Sequence, residues 1–386
     1  MKKKVCLINQ WPVHYHTPIF KELDKQDEID FTVVYCDTIT LNGYFDEETQ
    51  QNVSWEDQDL LNGHNHIFLK NYQKHNNNKN FFLLINFSII PHILKQKYDV
   101  VIVRGYIGLT YLFAIMAAKI SGAKLIFQGE STLRCKKDSI LKKIYLNFFF
   151  SFFDLFFYSC EGNFQFLNKY AKHKKKISTP CAVDNDFYRK KFLNLKNRRK
   201  HIREKLGISS DEIVLLSVGK LYSRKKPFDI LKAVKKLNNN KLCILLVGDG
   251  ALKEEIDDYG KKNHLKIILP GHKLSTQVVE YFSISDIYLQ VSDYDPSPKS
   301  LNESMNFELP IIATKILGTC DDLVKENING YKVNVGDVDE ISNSIHKLKS
   351  RRIRNEMGKE SYKIVSLNSI DSHVKKMVNG IVDLFT

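Results

Sequence analysis

Apolar positions in the first half of the chain come in short continuous runs set between amphipathic stretches. Val5-Cys6-Leu7-Ile8, Phe31-Thr32-Val33-Val34-Tyr35, Asp99 to Val103 and Ala123 to Phe127 are rich in β-branched and aromatic residues, so they predict strands. The run at 99–103 has no polar alternation, as expected of a central parallel strand covered on both faces. Between them, Pro18 to Leu23 and Leu109 to Ile120 have helical spacing; Pro18 suits a first turn and Ser121-Gly122 supplies a stop. The polar tract His75 to Asn80 predicts a loop. A second alternation follows a segment, Asp184 to Lys205, that reads as a charged connector. Its strands are Ile213 to Val218, Leu242 to Val247, Lys266 to Leu269, Ile287 to Gln290 and Pro310 to Ala313. Its helices are Phe228 to Leu237 and Ala251 to Tyr259, and a helical tail runs from Ser369 to Phe385. Strand, helix, strand in this rhythm predicts α/β architecture with two doubly wound parallel sheets. Ligands of such sheets lie beyond the carboxyl ends of the strands, so a ligand shared by both domains is expected in a cleft between them.

Length supports two domains, because 386 residues exceed what one core usually serves. The seven cysteines are scattered and never form a C-x-x-C pair, which argues against a disulfide framework or zinc site and for a reducing, cytoplasmic setting. The apolar run after Lys2-Lys3-Lys4 is too short for a signal peptide. The phenylalanine-rich segment Ile144 to Tyr158 is interrupted by Asn147, Ser151 and Asp154 and reads as core. Net charge is +14, and nineteen basic against six acidic residues between Arg134 and Lys205 account for +13 of it. That stretch fits either a solvated face or an anionic membrane surface, since basic residues attract acidic lipid. No nucleic-acid-binding module accompanies the charge, so nucleic acid is not expected as a partner.

The densest chemistry lies in Ser292-Asp293-Tyr294-Asp295-Pro296-Ser297-Pro298-Lys299-Ser300-Leu301-Asn302-Glu303, between a strand and a helix. Ser297 suits an N-cap and Pro298 a first helical position. The amides of Lys299 and Ser300 would then open a helix whose partial positive charge suits a diphosphate. Asp295 before this end and Glu303 inside it are placed to hold hydroxyls on either side of a phosphate group. Gly219-Lys220-Leu221-Tyr222-Ser223-Arg224-Lys225 follows another strand, and its amines suit the charge on a departing nucleoside diphosphate. Gly248-Asp249-Gly250 is a tight turn lacking the third glycine of a dinucleotide fingerprint, because position 253 is Lys253. Asp293-Tyr294-Asp295 mimics a metal-binding D-x-D, yet its position in the second sheet reads as loop chemistry and not as a metal site. In the first domain His14, Tyr15, His16 and Thr17, then Arg104-Gly105-Tyr106, then Gly129-Glu130, each follow a strand and are candidates for the acceptor side, with His16, Arg104 and Glu130 foremost.

These motifs, in this order, resemble the donor domain of family-4 retaining glycosyltransferases: Val218-Gly219-Lys220 to Asp229, Val247 to Gly250, Leu269-Pro270-Gly271, Ser292 to Glu303, and Leu309 to Thr314 through Asn329-Gly330-Tyr331. Tyr15 to Phe20 and Pro180 to Phe187 extend the likeness more weakly over the chain. The resemblance implies the GT-B fold, with an acceptor domain at 1–190, a nucleotide-sugar domain at 191–366, and a helix at 367–386 crossing back onto the first. It implies a retaining, metal-independent hexosyl transfer from a UDP- or GDP-sugar to a glycan or lipid-linked acceptor, without a cofactor, in surface polysaccharide or glycoconjugate synthesis. The basic stretch at 134–205, separately, leads to the expectation of a peripheral position on the inner face of the membrane. The E-x7-E motif of the family falls on Asp295 (sugar) and Glu303 (ribose), and its phosphate-binding Arg and Lys fall on Lys220 and Lys225. Gly219, Gly248, Asp249, Gly250, Pro296, Ser297, Lys299, Ser300 and Leu301 complete the expected donor set. Asp for the first Glu and Lys for Arg are departures, which leave the sugar open and remove bidentate phosphate binding. A nucleotide-sugar 2-epimerase or an inactive sugar-binding subunit would share the architecture.

Overall fold

The computed structural model describes every residue except 1, 42, 47–50, 54–58, 74–83 and 134–138; Cys135 and the tract at 75–80 lie outside the described residues. The chain divides into two units, one of Met1–Glu47, Gln51–Cys181 and Ile370–Thr386, the other chiefly of Ala182–Ser369. The first runs through β1 (Lys3–Asn9), α1 (Thr17–Asp24), β2 (Ile29–Tyr35), β3 (Tyr44–Asp46), β4 (Gln51–Val53), β5 (His66–Phe68), α2 (Ile89–Gln96), β6 (Val100–Val103), α3 (Leu109–Ser121), β7 (Lys124–Gln128), α4 (Ile140–Ser151), β8 (Leu155–Tyr158), α5 (Glu161–Tyr170) and β9 (Lys175–Ser178). Strands β3 and β4 pair as an antiparallel ribbon. The other seven form a parallel sheet ordered β5-β2-β1-β6-β7-β8-β9.

The second unit comprises α6 (Asn185–Leu195), α7 (Arg199–Lys205), β10 (Ile213–Val218), α8 (Pro227–Leu237), β11 (Leu242–Val247), α9 (Lys253–Lys262), β12 (Lys266–Ile268), α10 (Ser275–Ile284), β13 (Ile287–Gln290), α11 (Lys299–Met305), β14 (Ile311–Thr314), α12 (Cys320–Leu323), β15 (Gly330–Val333), α13 (Val338–Lys347) and α14 (Arg351–Ser366). Its sheet is parallel and ordered β12-β11-β10-β13-β14-β15. Helix α15 (Ile370–Val382) then belongs to the first unit.

Both sheets reverse winding once, between β1 and β6 and between β10 and β13, and at such points the loops leaving adjacent strands diverge to leave a crevice. Successive side chains of β1 serve opposite cores. Cys6 and Ile8 join Ile89, Ala114, Phe149 and Phe166 on one face; Val5 and Leu7 join Phe20, Leu23, Val374 and Met377 on the other. Phe149, Phe150, Phe153, Phe156 and Phe157 are buried, so the aromatic segment contributes core. Among the described residues no helix is long and apolar enough to cross a membrane.

The stretch expected as a charged connector is helical. Tyr188, Leu195 and Ile202 enter the core of the second unit, while Arg199 and Arg203 reach Asp286 at 2.8 and 3.4 Å, and Arg189 reaches Glu308 at 2.9 Å. The expected boundary at residue 190 therefore falls inside α6, and the division lies after Cys181. On the other side, the tail is held in the first unit by α15: a Cβ at Gly380 would lie 2.8 Å from Ile177 Cδ1 and 3.0 Å from Phe157 Cε1.

Candidate active site

In the second unit three loops at the carboxyl ends of β10, β11 and β13 pack backbone against backbone. Gly219, Gly248 and Gly250 have φ of 151°, 154° and 155°, which side chains rarely adopt. A Cβ at Gly248 would lie 1.9 Å from the Gly219 carbonyl oxygen, and one at Gly250 would lie 2.4 Å from that of Leu221. The Leu221 amide donates to the Asp249 carbonyl at 2.8 Å, while the Asp249 carboxylate accepts from the Gly250 amide and from Lys253 at 2.9 and 3.1 Å. The loop after β13 is tied to that after β10: the Asp293 amide and Ser292 hydroxyl both donate to the Arg224 carbonyl, at 2.9 and 3.0 Å.

This framework brings Lys225 and Asp295 together in an ion pair of 2.5 Å between half-buried side chains. Lys225 Nζ also lies 4.0 Å from where a Cβ of Gly219 would stand, so the amine flanks the glycine at the end of β10. Lys220 is half-buried in the same loop. Asp295 accepts from the Ser297 amide at 3.2 Å, which fixes its carboxylate, and Asp293 faces Lys226 at 3.6 Å. The helix starts one residue later than expected: Pro298, extended at ψ 108°, is the N-cap of α11, and Ser297 is not. Ser297 instead accepts from Lys299 Nζ at 3.1 Å. The Ser300 hydroxyl lies 2.7 Å from the Tyr288 phenol and 3.3 Å from both Gln290 Oε1 and the Val218 carbonyl, anchoring the first turn of α11 at the winding reversal. Pro296 is half-buried beside Asp295. Leu301 is fully buried in the core, and its amide donates to the Pro298 carbonyl at 3.1 Å.

Glu303 lies one turn into α11, where burial pushes its carboxyl up to about 7; a hydrogen bond from Tyr188 and the Lys299 charge oppose that shift. Tyr188 belongs to α6, and sequence reasoning missed it. Its signal was the apolar spacing of Tyr188, Phe192 and Leu195, masked by the lysines and arginines around it. The arrangement can hold a strongly anionic group against Lys225, with one acid before the helix and a second inside it.

The first unit brings His16, Arg104 and Glu130 to one cavity of about 290 Å³, at the end of β1, β6 and β7. His16 Nε2 and Arg104 Nη2 are 2.8 Å apart. Burial lowers the affinity of the Arg104 guanidinium for its proton, against the opposing fields of Glu130 and Tyr15. Trp11, Tyr15 and Tyr106 add aromatic walls. This cavity also stands at a winding reversal.

Two doubly wound parallel-sheet units give the chain the GT-B fold, and the second carries this cationic and acidic loop set. Residues 198–364 match the family described as glycosyl transferases group 1, and the chain is a glycosyltransferase carrying that domain. It is 25% identical over 317 residues to an Escherichia coli UDP-Gal:alpha-D-GlcNAc-diphosphoundecaprenol alpha-1,3-galactosyltransferase, covering 77% of this chain and 78% of that one. A glycosyltransferase from Rickettsia africae superposes with a TM-score of 0.77 at 17% identity, over 100% of this chain and 99% of that one. Anabaena HepE in complex with UDP superposes with a TM-score of 0.74 at 14% identity, over 99% and 100%.

Proposed function

We propose that this glycosyltransferase is a retaining enzyme of the family-4 type, which transfers a hexose from a UDP- or GDP-sugar to a glycan or lipid-linked acceptor. The second unit takes the donor and the first the acceptor. The observation that carries this reading is the Lys225–Asp295 pair at the winding reversal of the second sheet. The donor diphosphate draws the amine away from Asp295, which then accepts a hydroxyl of the transferred sugar. Lys220 and Lys225 stabilise charge on the departing nucleoside diphosphate without a metal ion. Glu303 accepts the ribose hydroxyls, and the turn at Gly248-Asp249-Gly250 with Pro296 to Leu301 shapes the rest of the donor site. His16, Arg104 and Glu130 line the acceptor cavity, whose aromatic walls and polar groups suit a sugar ring. The UDP seen with the Anabaena neighbour and the UDP-Gal and diphosphoundecaprenol in the name of the E. coli relative support a uridine donor and a polyprenyl-linked acceptor.

The proposed setting is the synthesis of surface polysaccharide or glycoconjugate, with the protein in the cytoplasm and bound peripherally through the basic residues that the first unit contributes to the stretch at 134–205, since Arg189, Arg199 and Arg203 are engaged in ion pairs within the second unit. A screen of nucleotide sugars that records nucleoside diphosphate release tests the chemistry. One donor is expected to be consumed by the wild type in an acceptor-dependent way. Conversion of the sugar nucleotide with no acceptor present would instead identify an epimerase.

A further inference from the structure

Helix α4 buries Leu146, Phe149 and Phe150 but turns a second apolar face outward. Ile140, Leu141, Ile144 and Phe148 are 79, 78, 60 and 59% exposed. At 100° per residue these four positions fall within about 100° of arc, so they form one stripe opposite the buried face. A solvated helix carries polar residues there, and scattered single exposures need no account, whereas a continuous stripe does. The helix itself carries Lys142 and Lys143 and no acid, and the flanking sequence adds Arg134, Lys136 and Lys137 against Asp138 and Asp154. Lys143 is exposed beside the stripe. Ser139 caps the helix by accepting from the Lys142 amide at 3.1 Å, and the Tyr145 phenol donates to the Tyr106 carbonyl at 2.5 Å, so the helix is pinned to the unit behind it. Twelve residues extend only about 18 Å, too short to cross a bilayer but suited to lie along its surface.

We infer that α4 is a membrane-docking helix, its stripe of Ile140, Leu141, Ile144 and Phe148 entering the acyl boundary of an anionic bilayer while Lys143 engages acidic headgroups. The inference rests on the peripheral binding proposed above and assigns the apolar contact within it. Electrostatic attraction alone vanishes at high salt, while an inserted apolar face persists, so the helix converts a screened encounter into a retained one.

The test uses the full chain and vesicles of phosphatidylcholine, with and without phosphatidylglycerol, in sedimentation at low and high salt. Wild type is expected to bind the phosphatidylglycerol vesicles and to remain in part at high salt. The double variant Ile144→Glu/Phe148→Glu is expected to bind about tenfold less while releasing nucleoside diphosphate from a soluble acceptor reaction at the wild-type rate. In a Phe148→Trp variant, emission should shift to the blue on adding these vesicles and be quenched by brominated acyl chains. Equal sedimentation of the double variant and wild type would overturn the inference while leaving binding through the basic stretch intact. No binding by wild type would remove both. A wild-type dimer in ultracentrifugation that the double variant abolishes, with no vesicle-induced shift in the emission of the Phe148→Trp variant, would assign the stripe to a second copy of the chain and also overturn it.

Discussion

Burial pushes the Glu303 carboxyl up to about 7, so its protonation is set by its surroundings. The carboxyl is raised above its unfolded value of about 4.5, so the folded state holds the proton more tightly. Stability contributed by that protonated form is present below about pH 4.5 and is lost as pH rises through about 7. Glu303→Gln is therefore expected to be more stable than wild type in alkaline buffer, by roughly 1–3 kcal/mol, and to show no gain in acid. In the proposed ribose contact, the hydroxyls donate best to the ionised form. Donor affinity of wild type should thus strengthen as pH rises from about 6 to 8, whereas Glu303→Gln should bind about tenfold more weakly with a flat profile. Calorimetric titration at several pH values checks both slopes. Lys225→Ala acts on a different step. On the proposed assignment, loss of the amine removes charge stabilisation at the leaving diphosphate, and kcat should fall on the order of a hundredfold or more. Lys225→Arg should recover part of that rate, and steady-state kinetics with saturating donor reads both.

At the scale of elements, the loops after β10 and β11 are specified by an absence of side chains. A methyl at Gly248 has nowhere to go, since the obstacle 1.9 Å away is a backbone carbonyl and the φ of 154° is itself unfavourable. Gly248→Ala should cost several kcal/mol, on the order of 3 or more, lower the thermal midpoint, and weaken donor binding by moving the Lys220–Lys225 loop. The sequence made these turns legible because Gly219 ends a run that is apolar except for Ser217 and Gly248 ends a continuous one, a pattern set by local rules. The loop of Asp295 was legible because it follows the strand-like run ending at Val291 and is itself built of turn-forming Ser, Asp and Pro residues. Two features were not. Helix α6 was hidden because its apolar positions, Tyr188, Phe192 and Leu195, are interleaved with Arg189, Lys190 and Lys191, and charge density dominates a linear reading. With it went Tyr188, whose phenol reaches Glu303 only through tertiary packing. The start of α11 was misplaced by one residue because Ser297 and Pro298 each satisfy an N-terminal preference, while the extended backbone of Pro298 makes it the N-cap.

At the scale of the whole molecule, the first unit is completed by residues remote in sequence. Helix α15 supplies Val374, Met377, Val378 and Ile381 to the core that contains Val5, Leu7, Phe157 and Phe20, and His373 Nδ1 lies 2.8 Å from the Pro180 carbonyl. Burying each such apolar side chain stabilises by about 1.5–3 kcal/mol as an upper estimate, so four amount to roughly 6–12. A domain's entire net stability is about 5–15 kcal/mol, which makes α15 comparable to the margin by which the first unit stays folded. Removing residues 370–386 should therefore unfold that unit or drive it into aggregates, because the sheet face formed by Val5, Leu7 and Phe157 loses its cover. The second unit loses none of its own core and should keep its cooperative melt and its donor affinity. Calorimetric scanning of the truncated chain distinguishes this from a peripheral tail: one retained transition with a missing partner is expected, whereas two unchanged transitions would mean that the tail adds little. A synthetic 370–386 peptide added in trans should restore the lost transition in a concentration-dependent manner, since it binds the folded unit and not the unfolded one.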